Sequence, residues 1–367
     1  MSQNFYTSIE ELREPLSQEN QSKILVFTGS KSFEDSGASS RLSIILPKET
    51  FYFKVTEDKP ELNGLLRAIE FYKQANPDMI IAIGGGKIID TAKIVKGLYT
   101  AENLKKCIEE NKGVVDNGEK LIAIPTTSGS GSESTPFAVA YVDGIKYSLQ
   151  DDSLLPSIIV LDASLTCNLS PRQTAISGMD ALAQGIESYW SINSTDKSKE
   201  YSRQAIELAL SNLEKTVNNP SLDSRKSMML ASNLAGRAIA IAKTTACHSL
   251  SYPMTSRFGI PHGHAVGMTL GSIFTYNTNV NEKNCNDKRG VEYVKKTMRE
   301  LKDVGLSEDK LYKLMKDIRL ETKFSELGID EAGIDRIVEE GFNPQRMKNN
   351  PAMPSREDAR KILMKRA

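Results

Sequence analysis

Apolar positions along this chain fall into two textures, and the change between them comes near residue 163. In the first part, short apolar runs recur. Residues 22–29 read SKILVFTG, and the stretch from Ile44-Ile45-Leu46 through Tyr52-Phe53-Lys54-Val55 is strand-like. Met79-Ile80-Ile81-Ala82-Ile83, Leu121-Ile122-Ala123-Ile124 and Ile158-Ile159-Val160-Leu161-Asp162 are unbroken. Runs of this length bounded by turn residues suit strands covered on both faces. Pro60 to Ala75 has helical spacing instead, with Leu62, Leu65, Leu66, Ile69 and Tyr72 on one stripe. Strands alternating with helices predict a mostly parallel α/β sheet. From Ser170 the pattern is helical to the end, where a basic segment after Asn349-Asn350-Pro351 reads as a solvated closing helix. The expected architecture is an α/β domain over 1–163 followed by an all-α domain over 164–367.

Two of the predicted strands run into loops of unusual composition. Gly84-Gly85-Gly86 follows a strand and opens a helix, where glycines let the backbone approach a phosphate and the helix N-terminus offers free N–H groups. It is not the GxGxxG fingerprint, and a tight strand-to-helix turn can use glycines with no ligand at all. The second loop, Thr126 to Ser132, carries five hydroxyls and two glycines at another strand end. Together the loops point to a dinucleotide, because open α/β sheets bind ligands at the carboxyl ends of their strands. After the first strand come Gly29, Ser30 and Lys31, with Glu34-Asp35 only later. A cation there suits a 2′-phosphate, which favours NADPH over NADH.

Histidine is scarce: the chain has three, His248, His262 and His264, all in one window. Imidazole is the commonest transition-metal ligand. Ile260-Pro261 and Gly263 punctuate the window, so His248 is expected on one helix and His262 at the start of the next. Elsewhere, the segment Gly178 to Glu187 places Asp180 and Gln184 at i and i+4 on one helical face, with Glu187 at i+7. Two oxygens and two imidazole nitrogens would make a four-point site for a divalent metal. A polar stripe facing solvent is the alternative, but the segment is otherwise small and apolar, as a buried helix would be.

Composition narrows the partners. Hydrophobic residues make 39% of the chain and charged ones 26%, as in ordinary soluble proteins, and Lys plus Arg equals Asp plus Glu at 47 each. No net field therefore favours nucleic acid or an anionic membrane. The four cysteines lack CxxC spacing and read as reduced thiols. The N-terminal MSQNFYTSIEELREP does not read as a secretion signal, and no run approaches the roughly 20 apolar residues of a membrane span. A soluble, cytoplasmic protein is expected.

GGGKIID, IPTTSGSGSEST, GMDALAQGIESYW and the histidine pair in HSLSYPMTSRFGIPHG together resemble the iron-dependent (group III) alcohol dehydrogenases, in the same order over nearly the whole chain. The resemblance implies an N-terminal dinucleotide-binding domain, a helical C-terminal domain and an active site in the cleft. It also implies a divalent metal, Fe²⁺ or Zn²⁺, that polarises the substrate oxygen while hydride passes to or from a nicotinamide. Family ligands match Asp180, His248 and His262; the remaining one is usually histidine, and Gln184 stands there. The implied cofactor residues are Gly29, Ser30, Lys31, Gly84, Gly85, Gly86, Lys87, Asp90, Thr126, Thr127, Ser130 and Lys146. His264 and Tyr252 are candidates for proton transfer, and a homodimer is expected.

Within the family, TPFAVAY, KYSL, the Gln184 change, ESYWSINSTD and KTTACHSLSYP are most similar to the phosphonoacetaldehyde reductases, which implies reduction of phosphonoacetaldehyde to 2-hydroxyethylphosphonate in phosphonate biosynthesis. Lys243 and Arg257, each five residues before a histidine ligand, are the candidate phosphonate-binding cations. The alternatives are a non-phosphonate aldehyde, ketone or diol as substrate, and a metal-poor, non-enzymatic relative. The dehydroquinate synthase-like lyases share the fold, but their lysine- and histidine-rich pattern is missing.

Overall fold

The computed structural model describes residues 3–18, 23–47 and 49–367. Ser22, where the first apolar run begins, lies outside the described residues. The chain divides into two compact units, Met1–Leu169 and Ser170–Ala367.

The first unit contains strands β1 (Asn4–Tyr6), β2 (Ile24–Gly29), β3 (Thr50–Val55), β4 (Met79–Gly84), β5 (Lys120–Pro125), β6 (Phe137–Val142), β7 (Ile145–Gln150) and β8 (Ile158–Val160). Six of them form a parallel sheet in the order β1-β8-β5-β4-β2-β3. Helices α1 (Leu62–Ala75), α2 (Gly86–Leu98) and α3 (Leu104–Glu110) belong to the same unit, with short helical turns at Arg13–Gln18, Ser32–Asp35 and Ala38–Leu42. β2 and β4 are buried along their whole length because both sheet faces are covered. Alternate residues feed opposite cores: Leu25, Phe27, Ile80 and Ala82 on one side, Ile24, Val26, Ile81 and Ile83 on the other. From β2 the chain steps outward to β3, then returns to the other side of β2 as β4. That reversal makes β2/β4 the topological switch point, and Gly29 and Gly84 end those two strands.

Several local expectations change. Ile44-Ile45-Leu46 is a turn with Ile44 exposed, and the strand begins only at Thr50. Leu66 is exposed and lies off the buried stripe of α1. The antiparallel β6–β7 hairpin turns at Asp143-Gly144, where both residues have positive φ, 51° and 77°, as a type I′ turn requires.

The second unit is helical: α4 (Pro171–Trp190), α5 (Asp196–Asn218), α6 (Leu222–Ala242), α7 (Ala246–Phe258), α8 (His262–Thr278), α9 (Val291–Asp303), α10 (Glu308–Asp317), α11 (Glu331–Gly341) and α12 (Arg356–Met364). α4 is its axis. Ser170 caps it by accepting from Gln173 N, and Pro171 occupies the first turn, where no N–H is needed. Every residue from Gly178 to Trp190 is buried. The closing helix α12 is not merely solvated, because Ala359, Ile362 and Leu363 pack into the core of this unit. No helix among the described residues is long and apolar enough to cross a membrane.

Candidate metal centre

The chemistry of the second unit begins with how α4 meets α7 and α8. Gly263, the second residue of α8, is helical, so its task is not an unusual backbone angle. A Cβ there would lie 2.0 Å from the Ile176 carbonyl oxygen and 2.9 Å from Asp180 Cβ. Only glycine lets α8 come this close to α4. The contact sets His262 beside Asp180, with Nε2 4.0 Å from Asp180 Oδ1. His248, on the first turn of α7, brings its Nε2 to 3.5 Å from the same oxygen.

Asp180, His248 and His262 each offer a ligand atom within 4.8 Å of the others. Donors ~2.0–2.2 Å from a tetrahedral ion sit roughly 3.4 Å apart, so small side-chain adjustments would close the set. The donor chemistry fits a divalent cation. Asp180 Oδ1 and Gln184 Oε1 are both buried without a hydrogen-bond partner, and such orphaned oxygens are costly unless something positive meets them. Tyr252 lies flat on His262, rings 6.3 Å apart at 9°, and Ser251 Oγ is 3.5 Å from His262 Nδ1.

Glu187 orders this cluster. It is fully buried, and its Oε1 accepts from Thr245 N (3.0 Å), Thr245 Oγ1 (2.6 Å), Cys247 N (3.1 Å) and His248 N (3.4 Å), which caps the first turn of α7 from another helix. Its Oε2 meets His248 Nδ1. With Nδ1–H donating to the carboxylate, Nε2 is the atom left to face Asp180, the carboxylate–histidine pattern that orients metal-bound imidazoles. Burial alone would discharge the imidazole, but Glu187 and Asp180 outweigh it and push His248 up to about 10. Burial likewise opposes the charge on Asp180, yet His248 and His262 hold its carboxyl below the usual range. A proton and a cation therefore compete for His248 Nε2.

Other candidates are placed differently. His264, two residues after His262, is rotated about 200° round α8; it is fully buried and donates from Nε2 to the Glu321 carbonyl at 2.8 Å. Burial also lowers its pKa, so the structure holds it as a core histidine. Arg257 pairs with Glu340 at 2.9 Å with 61% of its side chain exposed, which answers its charge without a substrate. Lys243 does not share a helix with His248: α6 ends at Ala242, α7 begins at Ala246, and Lys243 turns between them at φ 66° and ψ 167°. That conformation costs a residue with a side chain roughly 1–3 kcal/mol.

In the first unit, the two loops adjoin. Thr126 N donates to the Gly84 carbonyl at 3.0 Å, and a Cβ on Gly86 would lie 2.7 Å from Ser130 Oγ. Gly84 adopts φ 155°, where a Cβ would also strike Ile88 at 2.5 Å. Gly85 caps α2 and Gly86 opens it. Thr127 and Ser130 are half-buried, and Ser30 and Lys31 are exposed beyond Gly29. Lys146 lies on β7, close enough to favour the charged form of Asp90. Two candidates are occupied elsewhere. Lys87 donates to the Glu57 carbonyl at 2.8 Å, and Asp90 is buried, accepting from Ser132 Oγ (2.6 Å) and Val139 N (3.1 Å), so it braces the loop from beneath. The roles of Glu187, Gly263 and Lys93 emerge only from the fold, although the i+7 spacing of Glu187 from Asp180 is a signal in the sequence.

Comparison with known proteins gives consistent results. A family model described as iron-containing alcohol dehydrogenase matches residues 5–163, and one described as the Fe-containing alcohol dehydrogenase family, C-terminal, matches 174–367. The chain is similar to a phosphonoacetaldehyde reductase of Streptomyces viridochromogenes, 36% identical over 60% of this chain and 58% of that one. It is also similar to an NADPH-dependent butanol dehydrogenase of Clostridium saccharobutylicum, 31% identical over 84% and 81%. Of the aldehyde-alcohol dehydrogenases of Entamoeba histolytica and Escherichia coli it spans 39% of the length. Among solved structures, the sulfoacetaldehyde reductase of Bifidobacterium kashiwanohense in complex with NAD+ superposes with a TM-score of 0.88 at 25% identity, covering 100% of this chain and 97% of that one.

Two substitutions test the geometry. Gly263→Ala is expected to push α8 off α4, lowering stability by about 1–3 kcal/mol and abolishing tight binding of Zn²⁺ in a competition titration with a chromophoric chelator. Retained affinity would show that the close approach does not set the site. Glu187→Gln should weaken Zn²⁺ roughly 10–100-fold in the same titration, since partners of metal-binding histidines carry effects of that size.

Proposed function

Because this chain belongs to the iron-containing alcohol dehydrogenase family, we propose that it is a metal-assisted, NAD(P)H-dependent aldehyde reductase, acting on phosphonoacetaldehyde to give 2-hydroxyethylphosphonate. The observation that carries the reading is the pair of buried oxygens without hydrogen-bond partners on α4, Asp180 Oδ1 and Gln184 Oε1, on the helix that faces two imidazoles. In this reading Asp180, Gln184, His248 and His262 hold the ion, Fe²⁺ or Zn²⁺, which supplies a Lewis acid for the carbonyl oxygen while the nicotinamide supplies hydride.

The protein's own groups do the rest. Glu187 holds the proton on Nδ1 of His248, so Nε2 is the nitrogen that an ion would take in exchange for its proton. Tyr252, stacked on His262, fixes that ring and offers a phenolic proton for the product oxygen. Lys243, held in its strained turn immediately before α7, is the cation assigned to the phosphonate. The turn of Gly84, Gly85 and Gly86 and the hydroxyls of Thr126, Thr127 and Ser130 receive the pyrophosphate, and exposed Lys31 selects a 2′-phosphate. Similarity to a phosphonoacetaldehyde reductase supports the phosphonate, and similarity to an NADPH-dependent enzyme supports the cofactor. The balanced charge supports a small-molecule partner and neither nucleic acid nor membrane. A cytoplasmic homodimer completes the reading. A second reading, an uncharged aliphatic aldehyde, is favoured by the Arg257–Glu340 pair, which removes one of the two cations a phosphonate would use.

Steady-state kinetics on phosphonoacetaldehyde and on propanal decide between them. Chelation should abolish turnover, and Fe²⁺ or Zn²⁺ should restore it; full activity in demonstrably metal-free protein ends the metal reading. The phosphonate should lead in kcat/KM by about 10-fold or more, an advantage that Lys243→Ala removes; a wild-type preference for propanal establishes the second reading. NADPH should be favoured over NADH, and Lys31→Ala should narrow that ratio. An unchanged ratio would assign the preference to other residues.

A further inference from the structure

Lys93, on α2, is entirely buried and takes no part in the chemistry above. Its ammonium has three protons to donate, and the structure meets them with three carbonyls: Ser132 O, Thr135 O (2.7 Å) and Phe137 O (2.8 Å). The Ser132 and Thr135 hydroxyls lie 3.2 and 3.3 Å away. Asp90, one turn earlier on the same helix, takes the Ser132 hydroxyl and the Val139 N–H. A buried ammonium is costly unless it is fully hydrogen-bonded and near opposite charge. Asp90 and Glu133 supply that charge; burial still pulls Lys93 down to about 8.

These contacts have a mechanical consequence. The hydroxyl loop is tied at its first residue, where Thr126 N meets Gly84 O, and at its last, where Ser132 is gripped by both Lys93 and Asp90. Both ties lead to one rigid body, the glycine turn and the helix it opens. Between them Thr127 and Ser130 are suspended over Gly85 and Gly86, 3.6 and 2.7 Å from the positions a Cβ would take. We propose that Lys93 is a positioning residue that presets the 126–131 loop over the Gly84–Gly86 turn, so that a dinucleotide pyrophosphate meets a finished cradle and does not have to order one. The inference rests on the reading that this turn and loop bind the nicotinamide cofactor. Preorganisation of this kind acts on affinity, because ordering a loop on binding opposes binding.

The test is the dissociation constant of NADPH, by calorimetry on the metal-loaded full chain at a temperature well below unfolding, for wild type, Lys93→Met and Asp90→Asn. Methionine keeps the stem and removes the three donors. The expected result is a loss of nucleotide affinity of about 10-fold or more in Lys93→Met and a smaller loss in Asp90→Asn, with metal content and aldehyde KM at saturating NADPH unchanged. A folded Lys93→Met that binds NADPH as wild type does overturns the inference. If that variant does not fold, an unchanged constant in Asp90→Asn overturns it instead. Wild-type protein that binds neither NADPH nor NADH refutes the cofactor reading itself, a different failure visible before any variant is made.

Discussion

Glu187 carries a charge with no access to water, and the second unit is arranged to make that tolerable. A buried carboxylate is stable only when its lone pairs are met by donors and a positive group lies near. Here the donors are the first N–H groups of α7 and the Thr245 hydroxyl, and the positive group is the His248 imidazole. One side chain thus caps a helix it does not belong to and orients that helix's histidine. Trp190, a turn further along α4, extends the arrangement by donating to Thr245 Oγ1 at 2.9 Å. The start of α7 is tied to α4 by polar contacts with little slack, so His248 can face Asp180 without being placed by a flexible loop.

The other imidazole is placed by steric means. His262 owes its position to the absence of a side chain at Gly263, because a helix crossing with a backbone carbonyl 2.0 Å from the Cβ position admits nothing larger than hydrogen. Farther along α8, Gly267 and Gly271 face Met179 with Met315, and Tyr312, continuing a small-residue stripe on which long apolar side chains rest. Close packing of this kind resists displacement. Two unlike constraints, one electrostatic and one steric, converge on Asp180, and their meeting leaves two oxygens of α4 without hydrogen-bond partners.

The two candidate sites follow a common logic in separate units. In each, the groups offered to a ligand are held by buried charges behind them. Glu187 stands behind His248, and Lys93 with Asp90 stands behind the hydroxyl loop. Lys93 and Glu187 are fully buried and Asp90 nearly so. Two polar residues that the sequence offers as site candidates face the interior of their units. Asp90 lies in the second turn of the helix that a conspicuous glycine turn opens, yet it faces inward. His264 belongs to the histidine window, yet the 3.6-residue turn of α8 carries it to the opposite side.

Much of the molecule was legible in order along the chain. Unbroken apolar runs ending in glycine or hydroxyl loops determined a parallel sheet with loops at its carboxyl ends, because burial on both faces leaves no polar alternation. The i, i+4 spacing of Asp180 and Gln184 determined one helical face, because that periodicity is local. The tertiary structure alone decided which helices meet, and therefore which charges answer which. The partner of Arg257 is 83 residues away in sequence and that of His248 is 61. The five-residue spacing of Lys243 and His248 does not fix their relative direction either, because the helix ends at Ala242 and the next begins at Ala246. Periodicity fixes the direction of a side chain only within an unbroken element. Across a break or between elements, close packing and the need to neutralise buried charge select the partner, and a single sequence records neither.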